Sequence, residues 1–308
     1  MYPYPHELSA PGWHWAIMIY FFAAGIAIGS YIFAAFGQLL GSRAERDYSI
    51  SGYLLGMPLM IVSGLMLILD LHVPDKFIRF FHMMFNPRDG VLMFKPVSVM
   101  SLGSWAILLF SAISALSFIY AVIRMKNLAA KNPLIRLLIN LHEGPGRNIY
   151  LPIGILAAGY IGTYTGILLT ATQWPVWSAT SLIPVLFLAS GISTGLAAIV
   201  LMKSKKAQEA KDYIHKLEKA DTIVMVIELI LIVLFIISLG PLAEILVTGS
   251  NSILLFGGVV LAGLILPLIF RYKPSLMGDR QRLILSNILI LAGGLALRYV
   301  LVIGAQHL

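Results

Sequence analysis

An all-α, polytopic membrane protein with eight transmembrane helices is the fold class this sequence predicts, and three features carry the prediction. Hydrophobic residues make up 59% of the 308 residues and charged ones only 12%, about half of the roughly 25% that a soluble domain carries. The apolar residues gather into eight segments, each near the roughly 20 residues a spanning helix needs. The Lys and Arg residues alternate from loop to loop, as they do when they orient a membrane protein.

The segments lie at about 15–40, 50–69, 97–123, 149–172, 178–202, 222–242, 253–270 and 283–303, within a single integral membrane domain covering 1–308. "MYPYPHELSAPGW" before the first segment has no Lys or Arg to form a basic n-region, and the apolar run after it exceeds an h-region, so that segment reads as an uncleaved span and not as a signal peptide. Pro58, Pro152, Pro184 and Pro267 fall inside spans and read as kinks, because neighbouring helices can satisfy the freed carbonyls. The loops after spans one, three, five and seven hold 17 of the 22 Lys and Arg residues. The opposite side holds four, all between Lys76 and Lys95, and Arg298 lies within span eight. By the positive-inside rule the basic loops are cytoplasmic and both termini face outward. The net charge of +8 is thus a topology signal, and no nucleic-acid partner is expected.

Trp13, Trp15, Trp174 and Trp177 fall at the outer edge on this topology, the place of an aromatic belt. The run "KSKKAQEAKDYIHKLEK" at 203–219 reads as a solvated cytoplasmic helix. Residues 74–86 of the outer loop read as a short amphipathic helix with Phe77, Phe80, Phe81 and Phe85 on or near one side. Such a helix lies in the interface, covers a pocket or receives a soluble partner. "FFAAGIAIGSYI" (21–32) echoes "FLASGISTGLAA" (187–198), aligning Gly25 and Gly29 with Gly191 and Gly195. Both segments run in the same direction, which predicts two four-helix bundles related by a parallel repeat. The small-residue spacing serves close helix packing.

Ionisable groups within spans are costly and few. His14, Asp70, His72, Tyr164 and Arg298 all fall in the outer half, on four helices at one depth. Four of them have a structural reading as well: His14 as a belt residue, Asp70 as an N-cap, Tyr164 as a packed aromatic, and Arg298 as the partner of Asp70. Glu228 stands alone toward the cytoplasmic side of span six, as a proton-relay member or as a neutral hydrogen-bonded acid. A quinone needs donors to its two carbonyl oxygens, an apolar slot and a proton exit. A tyrosine hydroxyl, a carboxylate and a histidine that titrates near neutrality supply those elements. Asp70 and Glu228 are the relay candidates. The seven histidines include none in the middle of a span, so the paired axial ligands of a membrane haem are missing. The absence of cysteine leaves no thiolates for an iron–sulfur cluster. Electrons would leave through another subunit.

Several stretches resemble the polysulfide-reductase membrane subunit family, the NrfD-like proteins. They are "GWHW…YFFAAGIAIGSY" in span one, "LDLHVPDKFIRFFHMMFNPR" after span two, "SVMSLGSW" opening span three, "GTYTGILL…PVW" (162–177), "LFLASGISTG" (186–195) and "LRYVLVIGAQ" (297–306). They occur in family order across most of the sequence. The resemblance implies a multi-pass subunit of a prokaryotic cytoplasmic membrane that exchanges electrons between menaquinone or ubiquinone and a partner iron–sulfur subunit. The family's further partners are molybdopterin oxidoreductases and multihaem cytochromes c, on the extracytoplasmic side. Its quinone pocket corresponds to the His14 neighbourhood and Tyr164, with the Asp70–His72 region and Arg298 on further family-like segments. Ile17 and Tyr20 stand where some relatives carry an amide and a histidine, so Tyr20 takes a ring-contact position. "DGVLMFKPV" interrupts the family's run before "SVMSLGSW".

The expectation is a quinone-reactive membrane subunit with His14, Tyr20, His72, Tyr164 and Arg298 around the ring, His14 and Tyr164 on its carbonyls, and Asp70 or His72 handling protons. The rival class is a secondary transporter or proton-conducting protein that relays through Asp70, Glu228 and Arg298. A third reading is a plain membrane anchor for a soluble oxidoreductase.

Overall fold

A computed structural model describes residues 12–71, 73, 75–128, 132–273 and 278–306. Among them, eight helices are long and apolar enough to cross a membrane: Trp15–Leu40, Arg43–Asp70, Val99–Met125, Arg147–Thr170, Ile183–Lys203, Lys211–Val247, Gly249–Tyr272 and Asp279–Gln306, here spans one to eight. Span one packs on spans two and four, and span three closes that bundle against two and four. Spans five, six, seven and eight form the second bundle, and spans one and five meet at the centre of the molecule.

The central contact is made by the glycines of the internal repeat. A Cβ on Gly29 would fall on the Gly191 carbonyl and lie 2.9 Å from the Ile192 Cα. Gly195 in turn presses on the backbone of Gly29 and Ser30. Only a hydrogen side chain permits this approach, and close backbone packing is a main source of helix association in lipid.

Local chemistry extends two spans beyond the sequence expectation. Ser42 and Glu45 form a reciprocal capping box: Ser42 N donates to Glu45 Oε2 at 2.7 Å and Glu45 N to Ser42 Oγ at 3.4 Å. This starts span two at Arg43 and not near 50. Span six starts at Lys211, inside the run read as solvated. Tyr213, Ile214 and Leu217 of that run are buried against Leu196, Ile199 and Leu283, so one face of it belongs to the core.

Two further expectations change. Trp177 is fully buried, and its Nε1 donates to the Leu301 carbonyl at 2.6 Å. It therefore packs the bundle and is no belt residue, because the short helix Pro175–Ser178 tucks it under span eight. In the loop after span two, helix covers only Lys76–Phe81. A small antiparallel ladder then pairs Phe85 with Leu92 and Asn86 with Val91, and Trp105 Nε1 ties it down through the Met93 carbonyl at 2.9 Å.

At the basic-loop end, helix Pro133–His142 returns its last residue into the first bundle. His142 is completely buried and stacks on Tyr120 with 4.0 Å between ring centroids. Its Nδ1 lies 2.8 Å from the Leu138 carbonyl and its Nε2 3.0 Å from Ser117 Oγ. The carbonyl can only accept, so Nδ1 carries the proton and Nε2 accepts from the serine. Burial lowers the His142 pKa from 6.5 to about 4. The unfolded protein takes up this proton below pH 6.5 and the folded protein does not until pH is near 4. Stability is therefore complete above pH 6.5 and falls by about 3 kcal/mol as pH drops toward 4. Thermal melts of the purified protein in detergent across this window check it, and His142→Phe should flatten that loss.

Candidate functional site

The two ends of the described sequence meet and seal one end of the molecule. Trp13 N donates to Gln306 Oε1 at 2.7 Å, and Gln306 Nε2 donates to the Trp13 carbonyl at 2.8 Å. This latch fixes the start of span one against the end of span eight and holds the rim of a cavity inside the first bundle.

The cavity has a volume of about 380 Å³, within the roughly 300–1,000 Å³ usual for small-molecule sites. Its walls are mainly apolar, from Ile17, Met60, Leu67 and Leu168, and Phe80, Phe81, Met83 and Met84 of the loop cover its top. Of the three readings of that loop, covering a pocket is the one this geometry matches. Met100 and Leu108 line the cavity and are 61% and 48% exposed on the outer surface of span three. The cavity thus opens sideways, through apolar side chains, toward the surface that faces lipid.

Few polar groups enter this chamber. Tyr20 is buried, lines the wall and has no hydrogen-bond partner for its hydroxyl. Span one is held to span two there by Ser63 Oγ, which donates to the Tyr20 carbonyl at 3.3 Å. Tyr164, 4% exposed, lines the opposite side and stacks on Tyr160 at 6.1 Å. Gly103 explains its seat: a Cβ there would overlap the Tyr164 ring and hydroxyl. Asp70, half-buried at the end of span two, lines the rim, and its Oδ1 is buried without a hydrogen bond. Unsatisfied buried donors and acceptors are rare in folded proteins and mark places where a ligand or water completes the bonding.

The structure brings Tyr20, Asp70 and Tyr164 together around one space. His14 sits just outside it, as the N-cap of span one, with an exposed side chain whose Nδ1 is 3.7 Å from Asp70 Oδ1. It touches the site through Asp70. His72 lies outside the described residues.

Arg298 and Glu228 are elsewhere, in the second bundle. Arg298 Nη1 donates to Ser190 Oγ, Nη2 donates to the Phe187 carbonyl at 3.2 Å, and the guanidinium lies 5.0 Å from the Phe187 ring. Ser190 also adjoins Glu228, the carboxylate that faces Arg298. The expected grouping of Arg298 with Asp70 is therefore corrected: span eight turns residue 298 toward span five, while Asp70 ends span two in the other bundle. Ser104, Ser111 and the methionine walls were missed by sequence reasoning. Single serines and methionines in apolar runs carry no signal without knowing which side of the helix they occupy. Among the described residues no group of three or more His, Cys, Asp and Glu residues is placed to hold a metal ion.

The family model described as polysulphide reductase, NrfD, matches residues 6–308. The protein is 29% identical to a polysulfide reductase subunit of Wolinella succinogenes over 96% of its own length and 94% of that protein. It is 29% identical to a protein NrfD homolog of Haemophilus influenzae over 99% of its length and 98% of that protein. It is 28% identical to protein NrfD of Escherichia coli over 67% of its length and 65% of that protein. With eight apolar helices and a family match across almost its whole length, this chain is a multi-pass membrane protein that belongs to the NrfD polysulphide reductase family.

Proposed function

We propose that the protein is the quinone-reactive subunit of a respiratory oxidoreductase complex, exchanging electrons between a membrane quinone and a partner iron–sulfur subunit. The observation that carries this is the laterally open cavity with two tyrosines and one carboxylate on otherwise apolar walls. An amphiphile with a flat ring, two carbonyl oxygens and an isoprenoid tail matches it: menaquinone or ubiquinone. The unpartnered Tyr20 hydroxyl and the Asp70 Oδ1 are the bonding capacity such a ring would complete. When bound, a quinone supplies a two-electron, two-proton couple.

The geometry supports the following roles for the protein's own residues. Tyr20 and Tyr164 donate hydrogen bonds to the ring oxygens and hold the ring in an apolar space, where such bonds are strong. The Phe80–Phe81 cover keeps bulk water from the ring. Asp70 accepts or returns protons at the rim, and exposed His14, 3.7 Å away, passes them to water. Residues 203–219 and the other basic loops face the cytoplasm on this reading, with both termini and the cavity on the extracytoplasmic side of a prokaryotic cytoplasmic membrane. The covering loop exposes Phe77, Ile78, Leu92 and Phe94 near the cavity, an apolar surface suited to the iron–sulfur partner. The Wolinella relative is named as one part of a polysulfide reductase, which accords with such a multi-subunit complex. Its catalytic subunit would be a molybdopterin oxidoreductase or a multihaem cytochrome c.

The lateral opening provides a test that leaves every polar group in place. Leu108→Trp fills the mouth with a larger apolar side chain. Quinol-coupled turnover of the complex should fall about 10-fold or more, with KM rising, because binding contacts and access are lost together. Unchanged kinetics with a long-tailed quinol would remove this cavity as the site.

A further inference from the structure

The first bundle has a second cavity at the end opposite the candidate quinone site. Its volume is about 320 Å³, again in the range of small-molecule sites. Span one ends at Leu40, span two begins at Arg43 and span three ends at Met125. Gln38, Arg43, Arg46, Asp47 and Arg124 therefore form a polar ring where these helices leave the membrane on the basic-loop side. Tyr120, one turn deeper in span three, and Glu143, the cap of helix Pro133–His142, complete the lining.

The charges of this ring do not balance. One guanidinium takes up both acids: Arg124 Nη2 donates to Asp47 Oδ1 at 3.2 Å, and its Nε lies 3.1 Å from Glu143 Oε1. Glu143 Oε1 also accepts from the Tyr120 hydroxyl at 2.8 Å. Arg46 is fixed through Nε, which donates to the Gly41 carbonyl at 3.1 Å, and its two Nη groups remain for other acceptors. Among the described residues neither Arg43 nor Arg46 has a carboxylate at ion-pair distance. Three guanidinium groups against two carboxylates leave one positive charge in the lining.

Gln38 adds an unpaired acceptor. It is 1% exposed, and its Nε2 donates to the Arg46 carbonyl at 2.8 Å and to Ser49 Oγ at 3.2 Å. Those two acceptors set the orientation of the amide. Its Oε1 is buried without a hydrogen bond, a state that a bound donor relieves. A ligand suited to this ring carries one negative charge on several oxygens, for the guanidinium groups, and a hydroxyl beside them.

A phosphodiester with a hydroxylated head has that chemistry, and the surroundings favour a lipid as its source. The helix faces that carry the ring continue as apolar surface. Leu116, one turn from Tyr120 on span three, is 39% exposed, and Ile61, on the face of span two that carries Asp47, is 50% exposed. Acyl chains have a seat there below a polar head. Basic pockets between helices on the cytoplasmic side are common seats of anionic lipid heads, and the positive-inside reading puts this end in that leaflet.

We propose that the ring of Gln38, Arg43, Arg46 and Arg124 binds one anionic phospholipid of the phosphatidylglycerol type. Arg43 and Arg46 donate to the phosphate oxygens, Asp47 and Glu143 hold Arg124 behind them, and a head hydroxyl donates to Gln38 Oε1. The bound lipid ties the basic-loop ends of spans one, two and three together. No part of this rests on the quinone reading, because the two cavities lie at opposite ends of the bundle.

The test titrates delipidated full-length protein in detergent with phosphatidylglycerol, phosphatidylethanolamine or glycerol 3-phosphate, and native mass spectrometry counts the bound molecules. One phosphatidylglycerol should bind at least about ten-fold more tightly than either comparison ligand. Arg43→Gln, at an exposed side chain, should weaken it about ten-fold, and Arg43→Gln with Arg46→Gln about 100-fold, as charge-assisted hydrogen bonds are lost. Arg280→Gln, at a likewise exposed arginine at the start of span eight, should leave it unchanged. Wild-type affinity in the two ring variants, or an equal loss in Arg280→Gln, overturns the site, since the lipid then reads net charge alone. Glycerol 3-phosphate bound as tightly as the lipid overturns the lipid source, and phosphatidylethanolamine bound as tightly overturns the anionic selectivity.

Discussion

Tyr164→Phe is expected to lower quinol-coupled turnover of the assembled complex by about 10²- to 10³-fold, the usual cost of removing one preorganised donor from a developing negative charge. Three features of the site set this size. Tyr164 lines a cavity whose walls are mainly apolar and whose top is closed by Phe80 and Phe81, so water replaces its hydroxyl poorly. The ring is fixed between Tyr160 and the bare backbone of Gly103, so the donor is in place before the ligand arrives. Phenylalanine keeps that packing, and the loss should therefore appear in kcat more than in KM or in assembly. Tyr20→Phe should act in the same direction from the other wall. Equal turnover in both variants would dismiss the tyrosines as ring contacts.

The second large effect is on stability. Arg298 is 1% exposed and faces Glu228, and removing one member of a buried pair typically costs about 3–5 kcal/mol because the other charge is stranded. Arg298→Met should lower the melting temperature of the purified protein in detergent accordingly. Glu228→Gln, added to it, should restore most of the loss, since a neutral amide needs no counter-charge. Asp70→Asn should restore none. The opposite pattern of rescue would join Arg298 to the cavity bundle and contradict the separation of the two polar groups.

How much of this could be read from sequence differs by level. Span number and the loop alternation were legible because hydropathy and Lys/Arg bias act along the sequence, one dimension at a time. The pairing of Gly29 with Gly191 was foreshadowed by the internal repeat, whose two copies turned out to be each other's contact. Depth was legible in part: Asp70 and Tyr164, matched in depth from the sequence, line one chamber. Azimuth was not. Arg298 matches Asp70 in depth yet faces the other bundle, and nothing in a linear pattern says which neighbour a helix face meets. Trp177 was misread for a related reason, since belt statistics describe helix ends in general and not a short helix folded under span eight. The run at 203–219 misled because its charge density hid the spacing of Tyr213, Ile214 and Leu217, which share one buried face.

The most direct test of the central claim is photo-crosslinking of the native complex with a long-tailed azidoquinone, followed by peptide mapping and competition with unmodified quinone. The account predicts competed labels on span one around Tyr20, on span three around Leu108 and on span four around Tyr164. Competed labels confined to spans five to eight would contradict it.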